Sequence, residues 1–491
     1  MARLPLQARV LLGAAGLAVA AAVALMALRV GSAISFAEPR LVVTSGAEEE
    51  AVMSLFRAMT GEPYADPHRL PFSASYYNLL FYAVFGTIGR LSGVSAEWLT
   101  TVWRLTALAI TLGWLGLSLA AMRVFAPADD GAAAWHNHLL AAFLAIGPLV
   151  GFWAVSLNPE LAAAALSAAS LLVLARFYDH RRWEAVLAAA LLSLAAWSFK
   201  QSYLFAGLAL GLFLLLRRDW WGVVAITLLH GLWLAAVLAL GSEPFRQQLF
   251  SHAEIPWAWG QLSRNLLNLA VKTLPMVVGA AVLAVWTKVR RPEDTAGQVA
   301  VLGLLAALPA VPFSAKLGAS ENYFFLFSFF LAVASARAVA VLAARGWPRL
   351  PTLALAAAWF LETAACLAVI MGWQGTVSLE AMHRKYADQR ACVADLPSPF
   401  YAADPYLALP WMHAGDPHMV PAYYYDAGRA RGQWFENGGI GGMVATAAMA
   451  AVAVPHSDQP PVVDGTALSP LYTRVRTGCA GLDIWSPARD K

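Results

Sequence analysis

Eleven runs of fifteen to twenty-five mostly apolar residues follow one another between residues 10 and 372, and no other feature limits the fold so strongly. A bilayer's hydrocarbon core is about 30 Å thick and takes about 20 helical residues to cross. Backbone N–H and C=O groups find no water there, so a spanning segment must satisfy them internally, as a helix does. The runs lie at 10–34, 100–123, 138–157, 160–177, 185–199, 202–217, 221–240, 265–287, 298–313, 323–343 and 352–372. Composition agrees, since 59% of the residues are hydrophobic and 13% charged, whereas soluble domains are about a quarter charged. The expected fold is an α-helical polytopic membrane protein of about 11 transmembrane helices plus juxtamembrane helices. The net charge of +4 is spread over short basic clusters between the runs, which argues against a nucleic-acid partner.

The first run, Val10 to Ile34, follows Arg3 and Arg9. It exceeds the roughly 7–15 apolar residues of a signal peptide and reads as a retained helix with its N-terminus in the cytoplasm. A further segment, "SYYNLLFYAVFGTIGRLSG" at 75–93, is aromatic and apolar but carries Asn78 and Arg90. If it crossed, the basic connections at 176–183, 217–222, 288–294 and 344–349 would all lie opposite the basic N-terminus. Lys and Arg concentrate in cytoplasmic loops, so the segment is expected to be a juxtamembrane helix with Tyr76, Tyr77, Phe81 and Tyr82 at headgroup depth. In that register residues 1–373 form the membrane domain. Its first outer loop, 35–99, shares one side with the breaks at 156–161, 198–203, 241–264 and 314–323 and with everything after Trp373.

From 374 to 491 the composition turns to Pro, Asp, Gly and Tyr. This part reads as a small α/β domain, with "RACVADLP", "MVATAAMAAVAVP" and "YTRVRTG" as its strands or short helices. Its length suffices for a modest core. Cys392 and Cys479 flank it and are expected to form a disulfide on a non-cytoplasmic side, with Cys366 unpaired inside its helix. The sequence has neither a CxxC pair nor His/Cys metal spacing.

The polar residues that break this pattern carry the chemistry. Glu48, Glu49 and Glu50 open a helix, "EEEAVMSLFRAM", capped by Thr44 or Ser45, with Ala51, Leu55 and Met59 on one stripe. An acidic first turn suits the helix dipole. Three consecutive acids point roughly 100° apart, however, so one of them can enter a cavity. Glu160 follows Asn158 and Pro159 in a turn between two long runs, where it is either an N-terminal acid of the next helix, with Asn158 as cap and Pro159 at the first position, or a functional group. Lys200 and Gln201 break an apolar stretch at "FKQSY", and Lys316 lies in "SAKLGASENY". Two lysines on the side opposite the basic loops suit an anionic ligand better than snorkelling does. His68, Arg69 and Asn78 lie between the acids and the interfacial helix, and Arg104 heads the next span.

These features together resemble the GT-C-type glycosyltransferases, which include the protein mannosyltransferases and the bacterial lipid A aminoarabinose transferases. The resemblance rests on the acid cluster after the first helix, "GEPYADP", the aromatic interfacial helix, Arg104, the second-loop acid Glu160, and "KLGASENYFF" at 316–325. It covers most of residues 1–375. Members present Asp-Glu where this chain has "EEE", which aligns Glu49 with the catalytic acid and Glu50 with its neighbour, Glu48 staying in play.

The resemblance implies a polyprenyl-phosphate sugar donor and a glycan, lipid or protein acceptor. It places the chain in a bacterial inner membrane, with the tail domain in the periplasm. Lys200, Lys316, Arg69, His68 and Arg104 would meet the donor phosphate. Gln201, Tyr203, Asn322, Tyr323, Asn78 and Tyr77 would line the substrate site. A Glu would act as general base on the acceptor hydroxyl, whose direct attack on the anomeric carbon would invert it. Metal use varies among members, so a divalent ion stays open. The alternatives are a transporter or flippase for a lipid-linked saccharide, which would carry midplane sites and repeats, and a membrane scaffold for the tail.

Overall fold

Each of the eleven apolar runs contains a helix, although the run 138–157 leaves its helix at Ile146, in the computed structural model, which describes residues 6–35, 48–128, 131–251, 255–286, 294–343, 349–376, 379–404, 407, 416–417 and 422–488. In the membrane domain α1 is Leu6–Ser35, α2 Glu49–Met59, α3 Leu79–Ser92, α4 Ala96–Phe125, α5 Gly131–Ile146, α6 Glu160–Phe177 and α7 Arg182–Phe199. There follow α8 Phe205–Leu216, α9 Trp220–Leu240, α10 Glu243–Ser251, α11 Trp259–Trp286, α12 Thr295–Ala307, α13 Phe325–Ala343 and α14 Arg349–Thr376. Among the described residues, 8 helices are long and apolar enough to cross a membrane. The chain is a multi-pass membrane protein. Helices α5 and α8, of 16 and 12 residues, fall short of a full crossing by themselves; a helix rises only about 1.5 Å per residue.

The same arithmetic applies to the segment at 75–93. Its helix, α3, has 14 residues and extends about 21 Å, short of the 30 Å core. Tyr76, Tyr77, Phe81 and Tyr82 are 0–6% exposed, so they pack in the protein core and face neither water nor lipid. Their rings stack in series, Tyr77 on Phe81 at 5.1 Å and Phe81 on Phe85 at 4.8 Å. Helix α3 also approaches α2 closely, because a side chain at Gly86 would come within 2.8 Å of Ala58.

The tail folds around a four-stranded sheet in the order β1-β2-β6-β5, where β1 is Phe400–Ala402, β2 Ala451–Pro455, β5 Tyr472–Cys479 and β6 Leu482–Pro487. Strands β3 (Val462–Val463) and β4 (Thr466–Ala467) form a separate hairpin. Strand β1 runs parallel to β2, and β6 pairs antiparallel with β2 and β5. The period-2 geometry of a strand splits β2 between two cores. Val452 and Val454 join Tyr425, Phe435 and Ile440, while Ala451 and Ala453 join Val393, Phe400 and Ile484. Helix α15 (Leu379–Val393) leads into the sheet, and α16 (Ala422–Ala430) and α17 (Gly439–Ala445) cover its other face. Cys392 of α15 is disulfide-bonded to Cys479 of β5, and Cys366 is free. "RACVADLP" is thus half the end of a helix and half the turn that follows, and "YTRVRTG" is a strand.

The first loop docks on this domain. Phe72, at a left-handed φ of 63°, is buried in the tail's core between Tyr425 and Phe435. The Leu70 amide donates to Glu436 Oε2 at 3.1 Å, and the Glu436 amide donates to the His68 carbonyl at 2.8 Å. Residues 68–72 therefore belong to the tail, while residues 75–78, a few positions on, belong to the membrane domain.

Candidate active site

Two buried ion pairs are tied together by residues 157–160. The first joins α2 to α4. Arg104 lies on the buried stripe of α4 with Thr100, Trp103, Ala107, Thr111 and Trp114, which turns a permanent charge inward. Its Nε donates to both carboxylate oxygens of Glu48, at 3.2 and 3.1 Å, and its Nη2 donates to Oε2 at 2.5 Å. The Leu157 amide adds a bond to Oε1 at 3.3 Å. Glu48 precedes the first residue of α2, whose Ala51, Val52 and Leu55 are wholly buried. Burial pushes the Glu48 carboxyl above its ordinary value, against the pull of Arg104 and the Leu157 amide.

Three residues on from Leu157, Glu160 starts α6. Asn158 does not cap this helix as its position suggests; Pro159 holds the N-cap position without a side-chain bond, and Asn158 Oδ1 accepts from the Tyr77 hydroxyl at 2.9 Å. Lys200 ends α7 at the break before α8, and its ammonium is ion-paired to Glu160 Oε1. Asn322 Nδ2 donates to the same oxygen at 2.5 Å. The ammonium lies 4.8 Å from the Tyr323 ring centroid and 5.8 Å from that of Tyr77. With Lys200 only 4% exposed, snorkelling to water is excluded.

Several polar atoms around this pair are unused. Glu160 Oε2, Asn158 Nδ2, Gln201 Oε1 and Asn322 Oδ1 are buried without a hydrogen-bond partner. Each such group costs about 1–3 kcal/mol until something bonds to it. The set mixes donor and acceptors, which suits a ligand rich in hydroxyls, since a hydroxyl can do either. Lys316 is 8% exposed and sits 5.4 Å from the Phe313 ring centroid. Burial lowers its affinity for the proton, and the Lys200 charge lowers it further. The two ammonium groups are therefore in electrostatic reach of one another, which favours an anion beside them.

The structure brings Glu48, Arg104, Glu160, Lys200, Gln201, Tyr203, Asn322, Tyr323 and Tyr77 into this neighbourhood. Tyr203 bonds the Asn322 carbonyl at 3.3 Å, and Gln201 Nε2 bonds the Tyr76 carbonyl at 2.7 Å. The other expected residues have partners of their own. His68 is held by Asp66 at 3.2 Å and packs on Phe435 of the tail, and Arg69 is 67% exposed beside Asp66. Asn78 is a cap, its Oδ1 accepting from Leu79 N at 2.8 Å and its Nδ2 donating to the Trp197 carbonyl at 2.9 Å. Arg104 is engaged by Glu48 rather than open to a phosphate. The side chains of Glu49 and Glu50, and residues Thr44 and Ser45, lie outside the described residues.

Sequence reasoning missed a third pair, Lys272 with Glu321 at 2.6 Å. The signal was there, because a lysine in the middle of the apolar run 265–287 demands a partner. Among the described residues, no group of three or more His, Cys, Asp or Glu side chains could hold a metal ion.

No protein-family model and no curated protein matches the chain. Among solved structures it is similar to the crystal structure of ArnT from Cupriavidus metallidurans bound to undecaprenyl phosphate. The TM-score is 0.60 at 15% identity, over 95% of this chain and 98% of that one. The apo state of the same protein gives a TM-score of 0.59 at 16% identity, over 94% and 97%. The chain shares the fold of that protein along nearly its whole length, tail domain included.

Proposed function

We propose that this chain is an integral-membrane glycosyltransferase that moves a sugar from a polyprenyl-phosphate carrier to an acceptor hydroxyl on the periplasmic side of a bacterial inner membrane. The observation that carries this reading is the buried Glu160–Lys200–Asn322 cluster with its unmade hydrogen bonds. The fold shared with a protein crystallised with undecaprenyl phosphate supports it.

In this reading Lys316 and Lys200 meet the carrier phosphate, and Asn158, Glu160, Gln201 and Asn322 take sugar hydroxyls. Glu48 is spent on Arg104 and fixes the start of α2. Of the remaining acids, Glu49 takes the place of the Asp in the Asp-Glu of the glycosyltransferases that the sequence resembles. Glu49 is the general base. It accepts the proton of the acceptor hydroxyl as that oxygen bonds the anomeric carbon, while the bond from that carbon to the phosphate oxygen breaks on the opposite side. The electron pair leaves with the phosphate, whose developing charge the lysines stabilise. The sugar is inverted.

The test is transfer of a labelled sugar from its polyprenyl phosphate by purified protein. Glu49→Gln is expected to lower the rate at least ~100-fold with donor binding retained. Glu48→Gln and Glu50→Gln are the controls. Normal rates in all three would move the base to Glu160, and carrier binding without consumption would favour a flippase.

A further inference from the structure

One charged group remains outside this reading. On α1, the residues Leu11, Ala15, Ala18, Ala22, Leu25 and Met26 form a buried stripe at helical spacing, while Leu17, Val23 and Ile34 are exposed toward lipid. Arg29 continues the buried stripe and is only 8% exposed. A snorkelling arginine would reach water; this one turns into the protein. Its Nε and Nη1 are buried and make no hydrogen bond, and among the described residues no carboxylate is within ion-pair distance of it. A guanidinium keeps its charge and can only donate. Such a group at membrane depth is costly unless an anion meets it.

The surroundings are arranged for an acceptor. Gly151, at a left-handed φ of +53°, passes over the group so closely that a Cβ there would lie 3.6 Å from Nη2 and 3.7 Å from Nη1. A side chain at 151 would take up the space beside both end nitrogens. Trp153, two residues on, and Thr363 of α14, the helix packed along α1, carry further buried polar atoms without partners, an indole N–H and a hydroxyl. Among the described residues of α14, Cys366 and not Glu362 is in electrostatic reach of Arg29. Arg29 lies six residues before Ser35, about 9 Å from the end of the 30-residue α1. That is close to headgroup depth.

We infer that Arg29, with Trp153 and Thr363 on the elements around it, is a binding site for a phosphate-bearing anion, supplied at this depth by the headgroup of an acidic membrane lipid. The site uses none of the groups assigned to sugar transfer, so it stands or falls independently of that assignment.

Native mass spectrometry of the full chain, titrated with phosphatidylglycerol, tests it. Diacylglycerol with the same acyl chains and inorganic phosphate serve as the other probes. The wild type is expected to retain one phosphatidylglycerol tightly, and Arg29→Gln is expected to weaken that step about tenfold or more, the effect of losing a charge-assisted bond. Arg29→Lys, which keeps the charge, is expected to retain most of it. Equal binding by wild type and Arg29→Gln would overturn the site, as would diacylglycerol bound with the same dependence on Arg29. Displacement by inorganic phosphate at concentrations similar to the lipid's would uphold the anion site and overturn the lipid as its source. If Arg29→Gln does not fold, Trp153→Phe removes one donor and keeps an aromatic ring. It is expected to weaken the same step severalfold, and no change there would count against the proposal.

Discussion

Glu48 and Arg104, 56 residues apart in the chain, are joined by three hydrogen bonds with neither side chain more than 1% exposed. The pair fastens the head of α2 to α4. Removing one partner strands the other as a buried charge, a loss of about 3–5 kcal/mol. Arg104→Met is therefore expected to destabilise the protein by that much in denaturant unfolding in detergent. The double variant Glu48→Met/Arg104→Met is expected to recover most of the loss. If the single and double variants unfold alike, the pair does not hold α2.

Sidedness has its own check. A 14-residue α3 with a buried aromatic face cannot carry the chain across the bilayer alone, so reporters fused after Glu62 and after Gly93 are expected on the same side. The tail should share that side, because Phe72 is built into its core. Opposite results for the two fusions would break the argument that the acids and lysines share one face.

In the tail, Asp483 is 2% exposed and accepts from His456 at 2.8 Å, Arg474 at 3.1 Å and the Gly478 amide at 2.9 Å. Burial pushes its carboxyl up, but these three partners outweigh that and hold it at about 2. A depressed folded-state value means the carboxylate stabilises the fold above its unfolded value of about 3.9. That contribution is lost as pH falls toward about 2. Hydrogen exchange of β6 is expected to accelerate across this window in the wild type and to lose much of that dependence in Asp483→Asn.

Much of this architecture is legible in the sequence because membrane helices announce themselves by length and apolarity, and each of the eleven runs contains a helix. The clustering of Glu160, Lys200 and Asn322 is legible too, since each interrupts an apolar pattern. Partner choice is not. Lys200 reads as a phosphate ligand, but only the packing of α7 against α6 turns its ammonium onto Glu160. Asn158 reads as a helix cap until Tyr77, 81 residues away, takes its side chain. His68 and Arg69 read as site residues because they sit near the acids in sequence. The turn at Phe72 carries them to the tail instead, and no local pattern encodes that long-range contact.

The Glu160–Lys200 pair allows a test that separates structure from catalysis. Lys200→Met leaves a buried carboxylate with Asn322 as its remaining donor among the bonds described above, so a stability loss of about 3–5 kcal/mol is expected. Glu160→Gln removes the carboxylate charge that faces the ammonium and is expected to destabilise as well. The double variant Glu160→Gln/Lys200→Met removes both charges while keeping an amide where the carboxylate was, and its stability should return close to that of the wild type. Activity should not return with it. If the pair serves only to close the α6–α7 contact, the double variant would transfer sugar at nearly the normal rate. If Lys200 stabilises the leaving phosphate and Glu160 holds the sugar, transfer stays low, by ~100-fold or more, in a protein that is folded and binds lipid. Stability is read by denaturant unfolding and transfer by the labelled polyprenyl-phosphate sugar, on the same preparations. A double variant that is both stable and active would remove this pair from the site and leave Lys316 and the acids of α2 to carry the chemistry.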